Sequence, residues 1–264
     1  MSRAGEYKNM ERMALLDLDL QRLDLADIHS WPWWFTAAFC GVIMLGLEIL
    51  STVIPLLFSF ATKVSYPKEM HLDKFSSQDN LFIFINKLLT IMFVYHVIQV
   101  CYYTRTIEWD MDKITIGNTL GSLILFYIFY DFLYMNFHRF LHLNFIYGRI
   151  HKHHHRQKVP TRGNLDAINV HPFEFLVGEY IHLLTIYCIP AHICAIGFFI
   201  LSGGILASLN HTRLDLSIIP IFQVKAHAVH HEKNVNSNYG QYTMFWDYFF
   251  CTYKDFDRDF GKKE

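Results

Sequence analysis

The sequence predicts an all-α integral membrane protein, a transmembrane helical bundle with a histidine-rich cap that faces the cytosol. Three observations predict this class. Hydrophobic residues make up 52% of the 264 residues, and the mean hydropathy of +0.18 exceeds what the polar surface of a soluble domain usually allows. Several apolar runs reach the length of a membrane span. Thirteen of the 16 histidines lie between His138 and His231.

The first apolar run extends from Trp33 to Phe60, and Glu48 is its only charged residue. A run of about 20 apolar residues crosses the hydrocarbon core of a bilayer, so this run is long enough. Trp31, Trp33 and Trp34 stand where an aromatic belt would meet the membrane surface. The sequence therefore predicts a first transmembrane helix here, which Pro55 would kink.

Two further runs follow, from Leu81 to Tyr103 and from Asn118 to Phe137. The second run carries Lys87 and the third carries Asp131, but both are otherwise apolar enough to span a membrane. The alternative is the core of a large soluble helical protein. Three such runs within the first 140 residues favour the membrane.

A fourth apolar block, 175–209, is too long for one span. Pro190 and the pair Gly203-Gly204 interrupt it, and no Asp, Glu, Lys or Arg occurs from Tyr180 to Leu209. It is just long enough for a hairpin with two legs of about 17 residues, the lower limit for crossing. Such a hairpin would return its two flanking histidines, His171 and His211, to the same membrane side.

The composition excludes some functions and divides the chain into parts. With 23 basic and 24 acidic residues the net charge is −1, so nucleic acid is not expected as a partner. Five cysteines without a CxxC pair are expected to be small buried hydrophobes. Residues 1–30 lack the basic start and apolar core of a signal peptide. The expected parts are a polar segment 1–32, transmembrane helices 33–117, a catalytic domain 118–256 and a tail 257–264.

Three histidine clusters carry the functional prediction. The first is an HxxxH pair directly after the third apolar run, and two HxxHH clusters follow. On a helix, positions i, i+3 and i+4 lie on one face, so each cluster is expected to present its imidazoles together. The eight residues are His138 and His142; His151, His154 and His155; and His227, His230 and His231.

Eight such imidazoles exceed the needs of one metal ion and suit two. His171 and His211, which the hairpin would bring to the same membrane face, are two further candidate ligands. Imidazole binds iron, zinc, copper and nickel alike, so the ligands alone do not name the metal. Isolated histidines are usually structural, and this interpretation is kept for His29, His71, His96, His182 and His192. His153 stays open, because it lies beside ligands but off their face.

The spacing and order of these clusters resemble the fatty acid hydroxylase superfamily, also called the sterol desaturase family. The resemblance covers roughly residues 115–255. It rests on the stretches HRFLH (138–142), HKHHH (151–155), NVHPFE (169–174), LNH (209–211) and HAVHHEKNVNSNYG (227–240). One departure is visible: many members place Asp after the first histidine of the last cluster, where this chain has Ala228.

The resemblance implies a membrane-bound enzyme of the endoplasmic reticulum with two iron ions held by histidines at the cytosolic face. It also implies O2 as oxidant, a lipid substrate that is hydroxylated or desaturated, and electrons from an NAD(P)H-dependent reductase and cytochrome b5. The absence of a dinucleotide or flavin fingerprint agrees with an external electron source. The sterol desaturase side of the family suggests a sterol, and a fatty acyl chain or sphingoid base is the alternative.

Two other functional classes fit the sequence less well. A membrane metal-binding or transport protein would place ligands along a path inside the spans, but only His96, His182 and His192 lie within apolar runs. A zinc-dependent membrane hydrolase needs an open zinc position and a general base, and the number of histidines argues against it. The segment 159–167 is expected to be either an ordinary polar loop or part of the substrate entry.

Overall fold

A computed structural model describes residues 23–66, 68–218, 221–233 and 235–260. Most of the expected polar segment and the last residues of the expected tail lie outside this part of the chain. The described part is predominantly helical, in agreement with the predicted all-α class.

Helices of very different length make up the described chain. The α-helices are Trp33–Leu57 (α1), Ser77–Tyr103 (α2), Ser122–Leu141 (α3), Asn144–Tyr147 (α4), Asn164–Ala167 (α5), Pro172–Cys188 (α6), Ile193–Asn210 (α7), Val224–Glu232 (α8), Phe245–Phe249 (α9) and Phe256–Phe260 (α10). A π-helical turn, Gly117–Gly121, leads into α3. Short 3-10 helices cover Ile28–Ser30, Lys68–Met70, Met111–Lys113 and His151–Arg156.

Four two-residue strands close the connections between helices. They are Ile107–Glu108 (β1), Ala191–His192 (β2), Ser217–Ile218 (β3) and Phe222–Gln223 (β4). β1 pairs with β2 in parallel, with Ile107 opposite Ala191, and β3 pairs with β4 antiparallel, with Ser217 opposite Gln223. The first pair ties the connection after α2 to the turn between α6 and α7.

Four helical segments within the described residues are long and apolar enough to cross a membrane. They are Trp33–Leu57, Ser77–Tyr103, Gly117–Leu141 and Ile193–Asn210. The three predicted runs therefore form helices. The third helix ends at Leu141, beyond the predicted Phe137, so it carries His138 within its last turn.

The predicted hairpin is formed by α6 and α7, with the turn around Pro190 and β2 between them. His171 caps the amino end of α6 and His211 caps the carboxyl end of α7, so the two residues stand at the same end of the hairpin. With 17 residues, α6 lies at the lower limit of length for crossing a bilayer, and α7 is the longer leg of the hairpin.

The bundle buries aromatic and aliphatic side chains inside and exposes others where lipid would lie. Phe126, Ile186 and Phe199, from α3, α6 and α7, are fully buried and belong to one hydrophobic cluster. In contrast, Val42 and Leu45 on α1 are 69% and 62% exposed. In water such exposure would be unfavourable, but it suits a helix surrounded by hydrocarbon.

Polar contacts join the bundle to the segments that hold the histidines. The amino end of α2 is closed by a capping box between Ser76 and Asp79. The Asp79 carboxylate also lies 3.1 Å from His153 Nε2 and 3.3 Å from an Arg156 nitrogen. Farther along α2, Asn86 Nδ2 donates to the carbonyls of Ile168 and Val170 at 2.8 and 2.9 Å. These contacts fix the segment 151–170 against α2.

Candidate metal centre

Five chain segments bring nine histidines to one end of the bundle. The last turn of α3 carries His138 and its cap is His142. The 3-10 helix His151–Arg156, the cap of α7 and helix α8 supply the other seven. The ligand atoms fall into two groups, and within each group they lie within 4.8 Å of one another. The groups are His138, His142, His151, His155 and His230 (the five-histidine group) and His154, His211, His227 and His231 (the four-histidine group).

The five-histidine group is organised around Nε2 atoms that face one another. His138 Nε2 lies 3.0 Å from His151 Nε2, which lies 3.0 Å from His155 Nε2. His155 Nε2 is in turn 3.1 Å from His230 Nε2. Two imidazole nitrogens bound at about 2.1 Å to one ion, at a right angle, lie about 3.0 Å apart. The spacing is therefore that of neighbouring ligands on one metal ion.

Hydrogen bonds on the outer side fix the tautomers of these rings. His138 Nδ1 donates to the Tyr239 carbonyl at 2.9 Å, and His230 Nδ1 donates to the Ser237 carbonyl at 2.7 Å. His151 Nδ1 lies 2.8 Å from Glu174 Oε1. A carbonyl oxygen only accepts, so Nδ1 carries the proton in His138 and His230, and their Nε2 atoms hold lone pairs directed into the group. An ionised Glu174 would fix the tautomer of His151 in the same way.

A cation between the rings fits this arrangement. The Nε2 atoms of His138 and His151 both carry lone pairs when their Nδ1 atoms donate outward, so they cannot hydrogen-bond to each other at 3.0 Å. His142 Nε2 is also buried and has no hydrogen-bond partner among the described residues. A metal ion satisfies all three nitrogens at once, and the outer hydrogen bonds are those that orient metal-ligating histidines.

The four-histidine group has the same design. His211 Nε2 lies 3.2 Å from His227 Nε2 and 3.5 Å from His154 Nε2. His211 Nδ1 donates to the Ala207 carbonyl at 2.8 Å, and His231 Nδ1 donates to the Gln157 carbonyl at 3.1 Å. His231 Nε2 is buried without a partner in the described part of the chain. The two groups adjoin, since the ring centroids of His155 and His231 are 4.7 Å apart.

Helix spacing predicted that the histidines of each HxxHH cluster point the same way, but in the structure each cluster divides its histidines between the two groups. In the second cluster, His151 and His155 join the five-histidine group, whereas His154 joins the other. In the third cluster, His227 and His231 share the four-histidine group and His230 points to the first. Each HxxHH cluster lies between the two groups and contributes to both. The HxxxH pair, His138 and His142, stays together as expected.

Two histidines near the centre belong to neither group. His171, expected as a ligand, accepts a hydrogen bond from the Phe173 amide at its Nδ1 and packs against Phe82. His153 Nε2 contacts Asn169 Oδ1 at 2.9 Å and the Asp79 carboxylate at 3.1 Å. The sequence placed both close to the centre, but the Phe173 amide contacts Nδ1 of His171, and Asn169 and Asp79 contact Nε2 of His153.

Burial keeps the candidate ligands neutral. Burial lowers the pKa of His151 to about 3, and burial together with the neighbouring His151 lowers the pKa of His142 to about 3. The same desolvation lowers the pKa of the other candidate ligands outside the spanning segments below 6.5. They are His154, His155, His211, His227, His230 and His231. Neutral imidazole is the form that binds metal.

Two buried carboxylates fix the loop that follows α8. Asp131, on α3, accepts from the Tyr242 and Thr243 amides at 3.0 and 2.6 Å. Asp247 accepts from the amides of Tyr239 and Gly240 at 2.9 and 2.8 Å. A Cβ at Gly240 would lie 2.4 Å from the Thr243 carbonyl oxygen, so this close turn requires glycine. The loop thereby holds the Tyr239 carbonyl in place for His138.

The region that contains the histidines matches a known protein family. Residues 123–252 match the fatty acid hydroxylase family. The chain therefore contains a fatty acid hydroxylase domain. All nine histidines of the two groups lie inside the matched region, whereas α1 and α2 lie before it. The resemblance inferred from the histidine clusters is therefore confirmed.

Three named proteins are similar to this chain over part of their length. Lathosterol oxidase of Mus musculus is 30% identical over 129 residues, covering 48% of this chain and 42% of that protein. A Delta(7)-sterol 5(6)-desaturase of Schizosaccharomyces pombe is 30% identical over 138 residues, covering 48% and 42%. A very-long-chain aldehyde decarbonylase of Oryza sativa subsp. indica is 29% identical over 135 residues, covering 46% and 22%. The match thus spans less than half of these relatives. No solved structure matches the chain.

A cavity of about 450 Å³ lies between the long helices, beside the two histidine groups. Its walls are mainly apolar and include Leu47 of α1 and Phe93 of α2. Glu174, which contacts His151, also lines it, as does Ala207, whose carbonyl accepts from His211. The histidines of the two groups are not among its lining residues in the described chain. One layer of residues therefore separates the cavity from the candidate metal centre.

Sequence reasoning missed the residues that orient the ligands. Glu174 stood in the stretch NVHPFE that supported the resemblance, but no role was assigned to it. An acidic residue in the first turn of a helix directly after a candidate ligand was the available signal. The carbonyls of Gln157, Ser237 and Tyr239 leave no such signal, because every residue has a carbonyl and only the fold selects which one is used.

Proposed function

We propose that the chain is a membrane-bound oxidoreductase that holds two iron ions and uses O2 to hydroxylate or desaturate a lipid. The observation that carries the proposal is the pair of Nε2 atoms of His138 and His151, which face each other at 3.0 Å inside a group of five histidines. Eight further candidate ligands were expected, and seven of them surround this pair or form the adjoining group. The family match supports an oxidoreductase of the lipid hydroxylase and desaturase kind.

The proposed metal ligands are the nine histidines of the two groups, one ion in each group. Iron bound there would supply the reduction of O2 and the removal of hydrogen from an unactivated C–H bond. The chain itself supplies neutral imidazoles and outer hydrogen bonds that keep each ring oriented. It also keeps the centre dry, since His230 and His151 are fully buried. His171 lies outside both groups and is not among the proposed ligands.

The proposed substrate is a lipid that enters the cavity between the helices. Its volume of about 450 Å³ lies within the range of small-molecule sites, and its walls are mostly hydrocarbon. A sterol is proposed first, since two of the relatives named above are a lathosterol oxidase and a sterol desaturase. A fatty acyl chain or sphingoid base is the alternative. Helices α1 and α2, which lie outside the family match, help to line the cavity and would set this preference.

Electrons are proposed to come from cytochrome b5 and an NAD(P)H-dependent reductase. Exposed basic residues beside the second histidine cluster support docking of an acidic carrier at this face. They are Arg149, Lys152, Arg156 and Lys158. This assignment would place the metal centre on the cytosolic side of the endoplasmic reticulum. Residues 118–256 are proposed as the catalytic domain, in line with the family match over 123–252.

The decisive experiment uses purified full-length protein with its metal content measured. Iron-loaded protein, a lipid extract, NADH, reductase and cytochrome b5 should consume O2 and introduce a hydroxyl group or a double bond into one lipid class. Isotopically labelled O2 should appear in a hydroxylated lipid, or in water in step with desaturation. Protein that binds two zinc ions and oxidises no lipid would contradict the proposal.

The role of the cavity has a separate test on α1. A Cβ at Gly46, which lines the cavity, meets no atom within 4 Å, so Gly46→Leu should place its side chain in the substrate space without disturbing packing. Lipid oxidation should fall at least tenfold, while iron content stays unchanged. Gly41→Leu is the control, because Gly41 also has open space around it but is exposed on the same helix and lies outside the cavity lining. Equal losses in both variants would exclude the cavity as the substrate site.

A further inference from the structure

The segment 239–253 is a loop whose two ends meet near the metal centre. The Asn238 side chain joins them: its Nδ2 donates to the Lys254 carbonyl at 2.9 Å, and its Oδ1 accepts from the Lys254 amide at 2.8 Å. At the start of the loop, the Tyr239 carbonyl accepts from His138 Nδ1. The loop therefore begins and ends close to the last turn of α3.

From this end the loop runs along α3 toward the middle of the membrane span. Asp131 binds two amides of the loop, as described above. Farther along the loop, Trp246 Nε1 donates to the Ile128 carbonyl at 2.7 Å. Ile128 lies near the midpoint of the spanning segment Gly117–Leu141, ten residues before His138 and thus about 15 Å from it along the helix axis. The tip of the loop therefore lies beside the apolar middle of α3.

The tip, residues 245–251, exposes aromatic side chains and no charged group. Its exposed residues are Phe245, Tyr248, Phe249, Phe250 and Cys251. Phe245 is 51% exposed and Phe249 is 67% exposed. The one carboxylate of the tip, Asp247, is buried and accepts from two amides at the start of the loop and from the Thr252 hydroxyl. Exposed charged residues appear again only from Lys254 onward, where the loop has returned to its starting level.

The backbone of the tip finds many of its hydrogen-bond partners within the loop. The amides of Tyr248 and Phe250 donate to carbonyls four residues earlier, at 3.0 and 2.9 Å. The amides of Thr252 and Tyr253 donate to the Asp247 carbonyl at 2.9 and 3.1 Å. Hydrocarbon offers no hydrogen bonds, so a segment that enters it must satisfy its own backbone in this way.

We propose that the tip is inserted among the acyl chains of the bilayer, as a re-entrant loop that enters from the side of the metal centre and returns to that side. Exposed aromatic clusters mark contacts with membranes or other proteins, and the position beside the middle of a spanning helix selects the membrane. The face of α3 next to the tip continues the same surface, since Ile124 and Leu125 are each 52% exposed. The partner is therefore the hydrocarbon of the lipid leaflet nearest the metal centre.

The same loop contributes to the cavity. Gln241 and Tyr242, between the start of the loop and its tip, are among the residues that line the cavity. One loop thus provides a carbonyl for His138, part of the cavity wall and a lipid-facing tip. The inference adds a membrane contact outside the four spanning segments, and it does not depend on the proposed lipid oxidation.

The test places a fluorescent bimane label at single cysteines of the full-length protein in proteoliposomes, after its five cysteines have been replaced by alanine. Phe249→Cys probes the tip. Leu125→Cys, on the exposed face of α3, is the control for lipid, and Lys254→Cys, exposed where the loop ends, is the control for water. The quenchers are iodide in the buffer and a phospholipid with a doxyl group on its acyl chain. Metal content shows whether each variant is folded.

The label at Phe249→Cys should be quenched by the doxyl lipid as strongly as the label at Leu125→Cys. Its quenching by iodide should be about tenfold weaker than at Lys254→Cys, because an ion is excluded from hydrocarbon. Phe245→Cys, the second probe of the tip, should give the same result and decides the test if Phe249→Cys does not fold.

Three outcomes would overturn the inference. Iodide quenching at either tip position that equals that at Lys254→Cys would place the tip in water. Protection from both quenchers would show that protein covers the tip, as in a dimer of this chain. Iodide quenching at Leu125→Cys would remove α3 itself from the membrane. Lipid oxidation is measured separately, so failure of the re-entrant loop and failure of the proposed function are distinguishable.

Discussion

The metal contents of His171→Ala and His211→Ala should distinguish a metal ligand from a histidine that only lies near the centre. The sequence made both residues candidates for the same reason, since each flanks the hairpin. The structure places His211 in the four-histidine group, with its Nε2 3.2 Å from His227 and 3.5 Å from His154. His171 lies outside both groups and accepts from the Phe173 amide at 3.2 Å. We expect His211→Ala to lose one metal ion per chain and His171→Ala to keep two.

The magnitudes follow from what each side chain contacts. Mutation of a residue that only orients a ligand costs 10- to 100-fold in metal affinity, so removal of His211 itself should cost about 100-fold or more. The three histidines that remain in its group leave the ion with an incomplete set of nitrogen ligands. His171→Ala removes a helix cap, which costs about 1 kcal/mol of stability. Its effect should appear as a lower unfolding temperature and not as metal loss.

The assay is metal analysis of both purified variants after dialysis against a weak chelator, with thermal unfolding recorded in the same detergent. Lipid oxidation should be lost in His211→Ala and largely retained in His171→Ala. Equal metal loss in the two variants would refute the assignment of nine ligands. Two ions in His211→Ala would refute the four-histidine group as a metal site.

Three further predictions test the division of the centre, its protonation and its frame. His154→Ala should empty the four-histidine group, whereas His155→Ala leaves four histidines in the other group and should lose metal less completely; identical metal contents would contradict the division. The pKa of His151 falls from 6.5 to about 3 on burial, so the unfolded chain binds a proton that the folded chain does not bind as the pH falls below 6.5. The metal-free protein should therefore lose about 2 kcal/mol of its free energy of unfolding per such histidine between pH 6.5 and 5. An unfolding temperature that does not change with pH would contradict this prediction. Arg213→Met breaks a buried ion pair with Glu232, 2.8 Å apart, and should lower the free energy of unfolding by roughly 3–5 kcal/mol. Arg258→Met, at an exposed pair, is the control and should change the unfolding temperature little.

Apolar length predicted the helices well, because a membrane span is a property of a continuous segment. The first apolar run and α1 both begin at Trp33, and the second apolar run and α2 both end at Tyr103. The third helix was predicted too short, since His138 and Arg139 are polar and end the apolar run. In the structure these residues lie in the last turn of α3, and His138 belongs to the five-histidine group.

The assignment of ligands to ions could not be predicted, because it depends on distances between distant segments. Positional spacing on an ideal helix placed His154 with His151 and His155. The segment 151–156 is a 3-10 helix instead, which directs neighbouring side chains differently from an α-helix. In α8 the same HxxHH spacing places His230 with residues of α3 and the 3-10 helix. A cluster that lies between two groups can serve both, and the sequence pattern alone does not reveal this.

Asp131 links the membrane part of the chain to its metal centre. A carboxylate within an apolar run is costly in a bilayer, and the sequence gives no reason for it to be there. In the structure it binds two backbone amides of the loop after α8, at Tyr242 and Thr243. That loop supplies the Tyr239 carbonyl to His138, which lies seven residues, about two turns, after Asp131 on the same helix. One helix therefore carries both a metal-ligand candidate and the anchor of the loop that orients it, so the spacing between them is set by helix geometry and not by the flexible connection from α8.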